Sequence, residues 1–149
     1  YSDVIKKDLN KDIDKVPGAG AAGGLGAGLM AFLNGKLSPG IDIVIRYTNI
    51  ESQMHGVDFV ITGEGSIDSQ TRFGKTPYGV AKVAKKFNIP VIAIAGSIGA
   101  DIDILYDYGF DAFFSIMQGV SELDIALKNG AMNIERTCYN IGRLIETSR

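Results

Sequence analysis

Three observations predict an α/β fold built on a parallel sheet. Three short, almost wholly apolar runs, VDFVIT (57–62), VIAIA (91–95) and AFFSI (112–116), have the composition of strands covered on both faces. Amphipathic stretches of helical period separate them, and this alternation implies right-handed crossovers and parallel pairing. With 149 residues, 46% hydrophobic and 21% charged, the chain can bury the core of one domain or parts of two.

Each element has its own signal. In residues 1–16, Val4, Ile5, Leu9, Ile13 and Val16 recur near helical spacing among charges, which predicts a short amphipathic helix. The run PGAGAAGGLGAG follows. Repeated glycine weakens a helix and permits positive φ, so its first half is expected to be a loop whose backbone comes close to something. From about Gly24, Leu25, Leu29, Phe32 and Leu33 predict a helix, with Asn34-Gly35 as its stop. IDIVIRY, from Ile41, alternates and is β-branched, so it predicts a strand entered through Ser38, Pro39 and Gly40.

After a polar segment at 49–56 the strand–helix alternation begins. Val80, Ala81, Val83, Ala84 and Phe87 predict the first helix, with Thr76 as N-cap and Pro77 at the first helical position. A second helix spans Asp101 to Tyr108 and stops at Gly109. A third starts at Ser121, with Asp124 completing a weak capping box. It carries Leu123, Leu127, Ala131, Ile134, Cys138, Ile141 and Ile145 on one stripe.

Composition excludes several classes of function. The formal charge of −2 arises from interspersed acids and bases, with no basic cluster to neutralise a row of phosphates, so nucleic acid is not expected as a partner. A single cysteine, Cys138, permits no internal disulfide, and no Cys/His spacing suits structural zinc. The apolar runs are far shorter than the roughly 20 residues of a membrane helix. A cytoplasmic location is expected. The start at Tyr1, in mid-pattern, is read as a piece of a longer polypeptide.

Ligands of open parallel sheets bind beyond the carboxyl ends of the strands. Three segments are expected there: Gly63 to Thr76, Gly96 to Gly99, and Met117 to Val120. The first is much longer than the usual strand-to-helix connection of about 2–6 residues. Its residue types suit a phosphorylated, metal-bound ligand. Glu64 and Asp68 offer hard oxygens for Mg²⁺ or a base for an alcohol proton, and Arg72 and Lys75 offer positive charge to phosphate. Gly63, Gly65 and Gly74 allow close backbone approach, next to the positive end of the helix at Pro77. Taken singly, an acid in a surface loop is ordinarily just solvated; it is the joint position that carries the reading.

Two familiar patterns are incomplete, and the first, a P-loop, is rejected. GKT at 74–76 resembles the end of a P-loop, but Ser69 stands where its first glycine belongs and the strand ends well before it. Gly18, Gly20 and Gly23 satisfy G-x-G-x-x-G with Asp42 downstream, yet no strand precedes them, so a dinucleotide site lacks its βαβ context. An anion site at that helix start remains open beside simple close packing. His55 has no catalytic or metal partner and is read as structural; Cys138 is read as core, and Tyr106 and Tyr108 as surface or packing residues. Ser97, in AGSIG, is either a ligand donor or a turn former.

PGAGAAGGLGAGLMAFL (17–33), DFVITGEGSIDSQTRFGKTPYGVA (58–81), PVIAIAGSIG (90–99) and RTCYNIGRLI (136–145) closely resemble the C-terminal part of the type-1 family of bacterial glycerate kinases. The likeness covers nearly the whole chain, in order. It implies transfer of the γ-phosphate of ATP to D-glycerate with Mg²⁺, giving 2-phosphoglycerate. It further implies a flavodoxin-like α/β domain with a second α/β domain inserted in it and the site in the cleft between. Residues 1–53 are then the end of the inserted domain and 54–149 the C-terminal half of the flavodoxin-like one.

On this resemblance Asp68 is expected as base or orienting group, Glu64 as Mg²⁺ ligand with Asp68, and Lys75 with Arg72 as neutralisers of the transferring phosphate. Gly63, Gly65, Gln70, Thr71, Ser97, Gly20, Gly23 and Gly24 complete the expected substrate- and phosphate-binding set. The expected partners are glycerate, ATP and the missing N-terminal part of the same chain, with a homo-oligomer also open. A half-sheet has an unpaired edge, so the chain alone is expected to associate or be marginally stable, and to be inactive. Rival readings are a 3-phosphoglycerate-forming kinase, a non-catalytic nucleotide- or phosphosugar-binding domain, and a dinucleotide binder.

Overall fold

The computed structural model describes residues 1–147. It divides into two compact units, one of residues 1–40 and one from residue 41 onward.

The first unit holds helices α1 (Ser2–Leu9) and α2 (Ala21–Leu33). Ile5, Ile13, Ala19, Ala27 and Ala31 form its small core. Lys11 ties the segment between the helices to the end of α2, donating to the Ala31 carbonyl (2.6 Å) and to Asn34 Oδ1 (2.7 Å). Both helices end on an asparagine in the left-handed region, Asn10 and Asn34, a conformation that asparagine tolerates better than most residues. The Asn34 stop was therefore legible. So was the glycine loop: Ala22, Gly23 and Gly24 all have positive φ (50°, 66° and 90°), and regular helix resumes at Leu25.

In the second unit, α3 (Gly40–Thr48) and the single turn α4 (Ile50–Gln53) precede the sheet. Strands β1 (Val60–Ile67), β2 (Val91–Ile98) and β3 (Ala112–Ser115) lie in the order β1-β2-β3, both pairs parallel. Helix α5 (Thr76–Lys86) crosses from β1 to β2, and a 3₁₀ helix (Ile102–Tyr108) crosses from β2 to β3. Two helices follow, α6 (Leu123–Lys128) and α7 (Gly130–Thr147). The expected α/β class with a parallel sheet is thus observed.

The core lies between α5 and one sheet face. Val91, Ala93 and Ala95 point into it from β2, Ala81, Val83 and Ala84 from α5, and Leu105 and Phe110 close its end. Asp111 pins the start of β2, since Val91 N–H donates to its Oδ2 (2.7 Å) and its own N–H donates to the Val91 carbonyl (2.9 Å).

Several sequence expectations are corrected. IDIVIRY is helical, because its β-branched residues also satisfy an i, i+4 spacing: Ile41 and Ile45 pack against Gly79 of α5, where there is no side chain to obstruct them. The Thr48 hydroxyl closes that helix by donating to the Val44 carbonyl (2.8 Å). Strand β1 runs five residues beyond the Thr62 at which VDFVIT ends, because pairing with β2 carries it through Gly63, Gly65 and Ser66, residues read as loop. The α5 N-cap is Lys75, with Thr76 already helical. The third helix breaks at Asn129 and starts at Leu123 after an N-cap Glu122 that makes no capping hydrogen bond, so no capping box forms at Ser121.

Candidate active site

The site is built where β1 ends. Ile67 is fully buried and its carbonyl accepts from Gly99 N–H (2.8 Å), which fixes the end of β1 against the end of β2. The chain then turns sharply into a 3₁₀ helix, Ser69–Phe73, capped at both ends.

At its N-terminus sits a reciprocal capping box. Gln70 N–H donates to Asp68 Oδ1 (3.0 Å), and Asp68 N–H donates to Thr71 Oγ1 (3.2 Å). At its C-terminus Gly74 adopts φ 99°, a left-handed position suited to glycine, and its N–H donates to the Thr71 carbonyl. The consequence is a rigid turn. It holds Lys75 so that Nζ lies 3.5 Å from Asp68 Oδ1 and 3.4 Å from the Ser66 carbonyl. Asp68 and Lys75, which sequence reasoning put in one site, are thus neighbours.

The other residues of the expected set fall in distinct places. Thr71 is fully buried and its hydroxyl is engaged in the cap, so its contribution is to shape the turn. Gln70 is exposed beside Asp68. The Arg72 guanidinium lies over the rings of Phe73 (4.8 Å) and Tyr108 (5.6 Å), and its Nε is buried with no hydrogen-bond partner. Glu64 is on β1, opposite Ala95 in register, and exposed; among the described residues its carboxylate has no ion pair. Ser97 is exposed on β2 opposite Ser66. Gly20, Gly23 and Gly24 belong to the first unit, where a Cβ at Gly20 or Gly23 would meet nothing within 4 Å.

The glycines of β1 have different reasons. A Cβ on Gly63 would lie 2.6 Å from the Ile94 carbonyl oxygen and 2.9 Å from Ile94 Cγ1, so the sheet itself requires glycine there. A Cβ on Gly65 would meet nothing within 4 Å. Gly65 opens onto a cavity of about 720 Å³ at the carboxyl ends of β1 and β2, walled on the far side by α6 and α7.

Two residues of the site were not anticipated. Asp101 Oδ1 accepts from Ser69 N–H (3.3 Å), and hydrogen bonding from Ser69, aided by the charge of Arg72, lowers the pKa of its carboxyl. Gly99 lies between the two acids: its Cβ would meet Asp101 Oδ1 at 2.8 Å and Asp68 Cβ at 3.2 Å. AGSIG was noted as a binding segment, but the pairing that brings Asp101 across to Ser69 is a long-range one, and local sequence does not show it. His55 meets Phe87 edge to face at 5.1 Å, a packing role as expected. Cys138 is half-buried.

The donor set can be tested against a divalent cation. Among the described residues no three His, Cys, Asp or Glu side chains converge, so an all-protein metal cage is absent. Mg²⁺ is commonly held by one or two carboxylates plus substrate phosphates, and Glu64 and Asp68 Oδ2 are the oxygens that remain uncommitted here. The residues fit a substrate-bridged ion.

The profile of the Glycerate kinase family matches residues 1–146. The chain is 51% identical over 141 residues to the glycerate 2-kinase of Escherichia coli K12 and 49% identical over 141 residues to a glycerate kinase of Halalkalibacterium halodurans, covering 95% of this chain and 37% of each relative. A crystal structure of a Salmonella typhimurium LT2 protein described as a glycerate kinase 2 superposes with a TM-score of 0.78 at 43% identity, over 99% of this chain and 38% of that one. The chain therefore spans a little over a third of the length of the relatives it matches. Among the described residues no helix is long and apolar enough to cross a membrane. The chain belongs to the glycerate kinase family.

Proposed function

We propose that this chain forms part of a kinase that transfers the γ-phosphate of ATP to D-glycerate, giving 2-phosphoglycerate, and that the Asp68–Lys75 turn is its reaction centre. The observation that carries the reading is the capped turn at the carboxyl end of β1, which holds an acid and an ammonium 3.5 Å apart.

Each residue then has a role. Asp68 Oδ2 takes the proton of the acceptor hydroxyl as it attacks, while Oδ1 stays fixed by Gln70 N–H. Lys75 stands where charge builds on the transferring phosphoryl group, and the N-terminus of α5, which starts at the next residue, adds its positive dipole end. Glu64, with Asp68, would hold Mg²⁺, which when bound neutralises phosphate charge and orients the donor. Arg72 would supply further positive charge to bound phosphate. Ser97, Gly63 and Gly65 line the neighbouring cavity, and the glycine turn at 20, 23 and 24, open at Gly20 and Gly23, would take an anion in the first unit.

The chain is further proposed to act within a longer polypeptide, residues 1–53 closing one α/β domain and the rest completing another. Exposed apolar residues on α7 outside the cavity support this: Tyr139 is 64% exposed and Leu144 59%. The 149-residue chain alone is expected to bind ligands without turnover. The test is an assay of a polypeptide of the relatives' length carrying this sequence, with ATP, Mg²⁺ and D-glycerate, following ADP and the phosphoglycerate isomer by NMR. Formation of 2-phosphoglycerate is expected. Formation of 3-phosphoglycerate would overturn the regiochemistry, and ligand-induced stabilisation without ADP release would replace the kinase by a sensing domain.

A further inference from the structure

We infer that the cavity at the carboxyl ends of β1 and β2 receives the purine nucleoside of the phosphoryl donor, leaving the Asp68–Lys75 turn to phosphates and acceptor. The inference rests on the phosphoryl-transfer reading above and assigns its donor subsite.

Size and chemistry favour the nucleoside over the acceptor. At about 720 Å³ the cavity lies in the range that holds organic ligands of drug size. Its walls are mainly apolar, with Ile94 and Ile116 on the sheet side and Leu127 and Ile134 on the helical side. A three-carbon hydroxy acid is polar over nearly its whole surface, so such walls would strip its water and return no hydrogen bonds. A purine has two flat apolar faces and polar edges. Those edges match the hydroxyls that the lining contains, Ser97 and Ser121.

Gly65 supplies an independent observation. In a strand, glycine gives up packing and order, and β-branched residues are preferred. Gly63 is explained by the Ile94 backbone, but Gly65 has neither a positive φ nor any atom within 4 Å of its missing Cβ. Among the described residues nothing requires glycine there. Close approach of a ligand to the strand backbone does. The next residue, Ser66, offers its carbonyl to Lys75 Nζ, so the cavity floor and the cationic turn are consecutive in the chain. A nucleoside on Gly65 would therefore have its phosphates directed over the turn.

The experiment titrates adenosine, ATP and D-glycerate separately into the 149-residue chain, read by calorimetry and amide chemical shifts. Gly65→Val fills the cavity floor, Leu127→Asp alters the opposite wall at a 71% exposed position, and Lys75→Met removes the cation. Both cavity variants should weaken adenosine and ATP alike by roughly tenfold or more, with Leu127→Asp deciding the matter if Gly65→Val misfolds. Lys75→Met should weaken ATP and leave adenosine unchanged. Adenosine that fails to bind, or affinities within about threefold of the unsubstituted chain in both cavity variants, would overturn the assignment. The two readings fail separately: cavity-dependent ATP binding without phosphoglycerate formation in the longer polypeptide sinks the kinase reading alone, and phosphoglycerate formation with cavity-independent ATP binding sinks the nucleoside site alone.

Discussion

Replacing Gly63 by alanine should destabilise the sheet unit, and the same change at Gly65 should not. The two positions are two residues apart on one strand, so intrinsic strand propensity and exposure are closely matched. They differ in what a methyl group would meet. At Gly63 the added Cβ falls 2.6 Å from the Ile94 carbonyl oxygen and 2.9 Å from its Cγ1, closer than real Cβ atoms come, and the first obstacle is backbone within the β1–β2 pair. Relief requires the ladder to open or Ile94 to move, a form of overpacking that costs about 1–3 kcal/mol. For a unit of this size that lowers Tm by roughly 3–12 °C. At Gly65 the Cβ meets nothing, and fewer unfolded conformations are left to lose, so Gly65→Ala should be neutral or stabilising by up to about 1 kcal/mol. Urea unfolding followed by far-UV circular dichroism gives both values, provided the m-value is unchanged. Equal destabilisation at the two positions would refute the reasoning, because Gly65 would then be a structural glycine.

Other consequences follow from the turn. Thr71→Val keeps the shape of a buried side chain but removes the hydroxyl that accepts Asp68 N–H, and should cost about 1–2 kcal/mol in the same urea experiment. Asp101 bears on pH. Its carboxyl has a lowered pKa in the folded chain, so its stabilising effect is present above the unfolded value of about 3.9 and is lost as pH falls through the folded value. Asp101→Asn should therefore remove part of the loss of stability on acidification below about pH 5, seen as a flatter Tm-against-pH curve. Gly99→Ala places a methyl 2.8 Å from Asp101 Oδ1 and 3.2 Å from Asp68 Cβ; the expected outcome is a displaced Asp68 signal in side-chain carboxyl NMR.

Much of this fold could be read from the sequence, and the failures share a cause. The three strands, the glycine loop before α2 and the stop at Asn34 rest on local signals, namely apolar run length and tolerance of positive φ. The local signals also placed Asp68 and Lys75 in one segment, and the fold brings their side chains within 3.5 Å of each other. IDIVIRY misled because alternation and i, i+4 spacing coincide in so β-branched a run, and the choice was made by Gly79 offering Ile41 and Ile45 a flat surface. GEGS was read as loop because glycine weakens a strand. Its pairing with Ile94, Ala95 and Ser97 is formed by residues some thirty positions away and overrides that preference. Thr71 looked like a ligand donor, and only the capping box shows its hydroxyl turned inward. Asp101 was invisible for the reason β1's length was: its partner, Ser69, is distant in sequence.

The central claim, that the turn closing β1 is a phosphoryl-transfer centre with Asp68 as base, is tested most directly by Asp68→Asn. The substitution is made in a polypeptide of the relatives' length carrying this sequence, and steady-state turnover is measured with ATP, Mg²⁺ and D-glycerate. Asparagine can still accept the Gln70 N–H and keep the cap, so loss of the basic oxygen is isolated from loss of the turn. The account predicts a fall in kcat of roughly 10²- to 10⁴-fold with the turn's amide chemical shifts retained. A fall of less than about threefold, with KM unchanged, would contradict it.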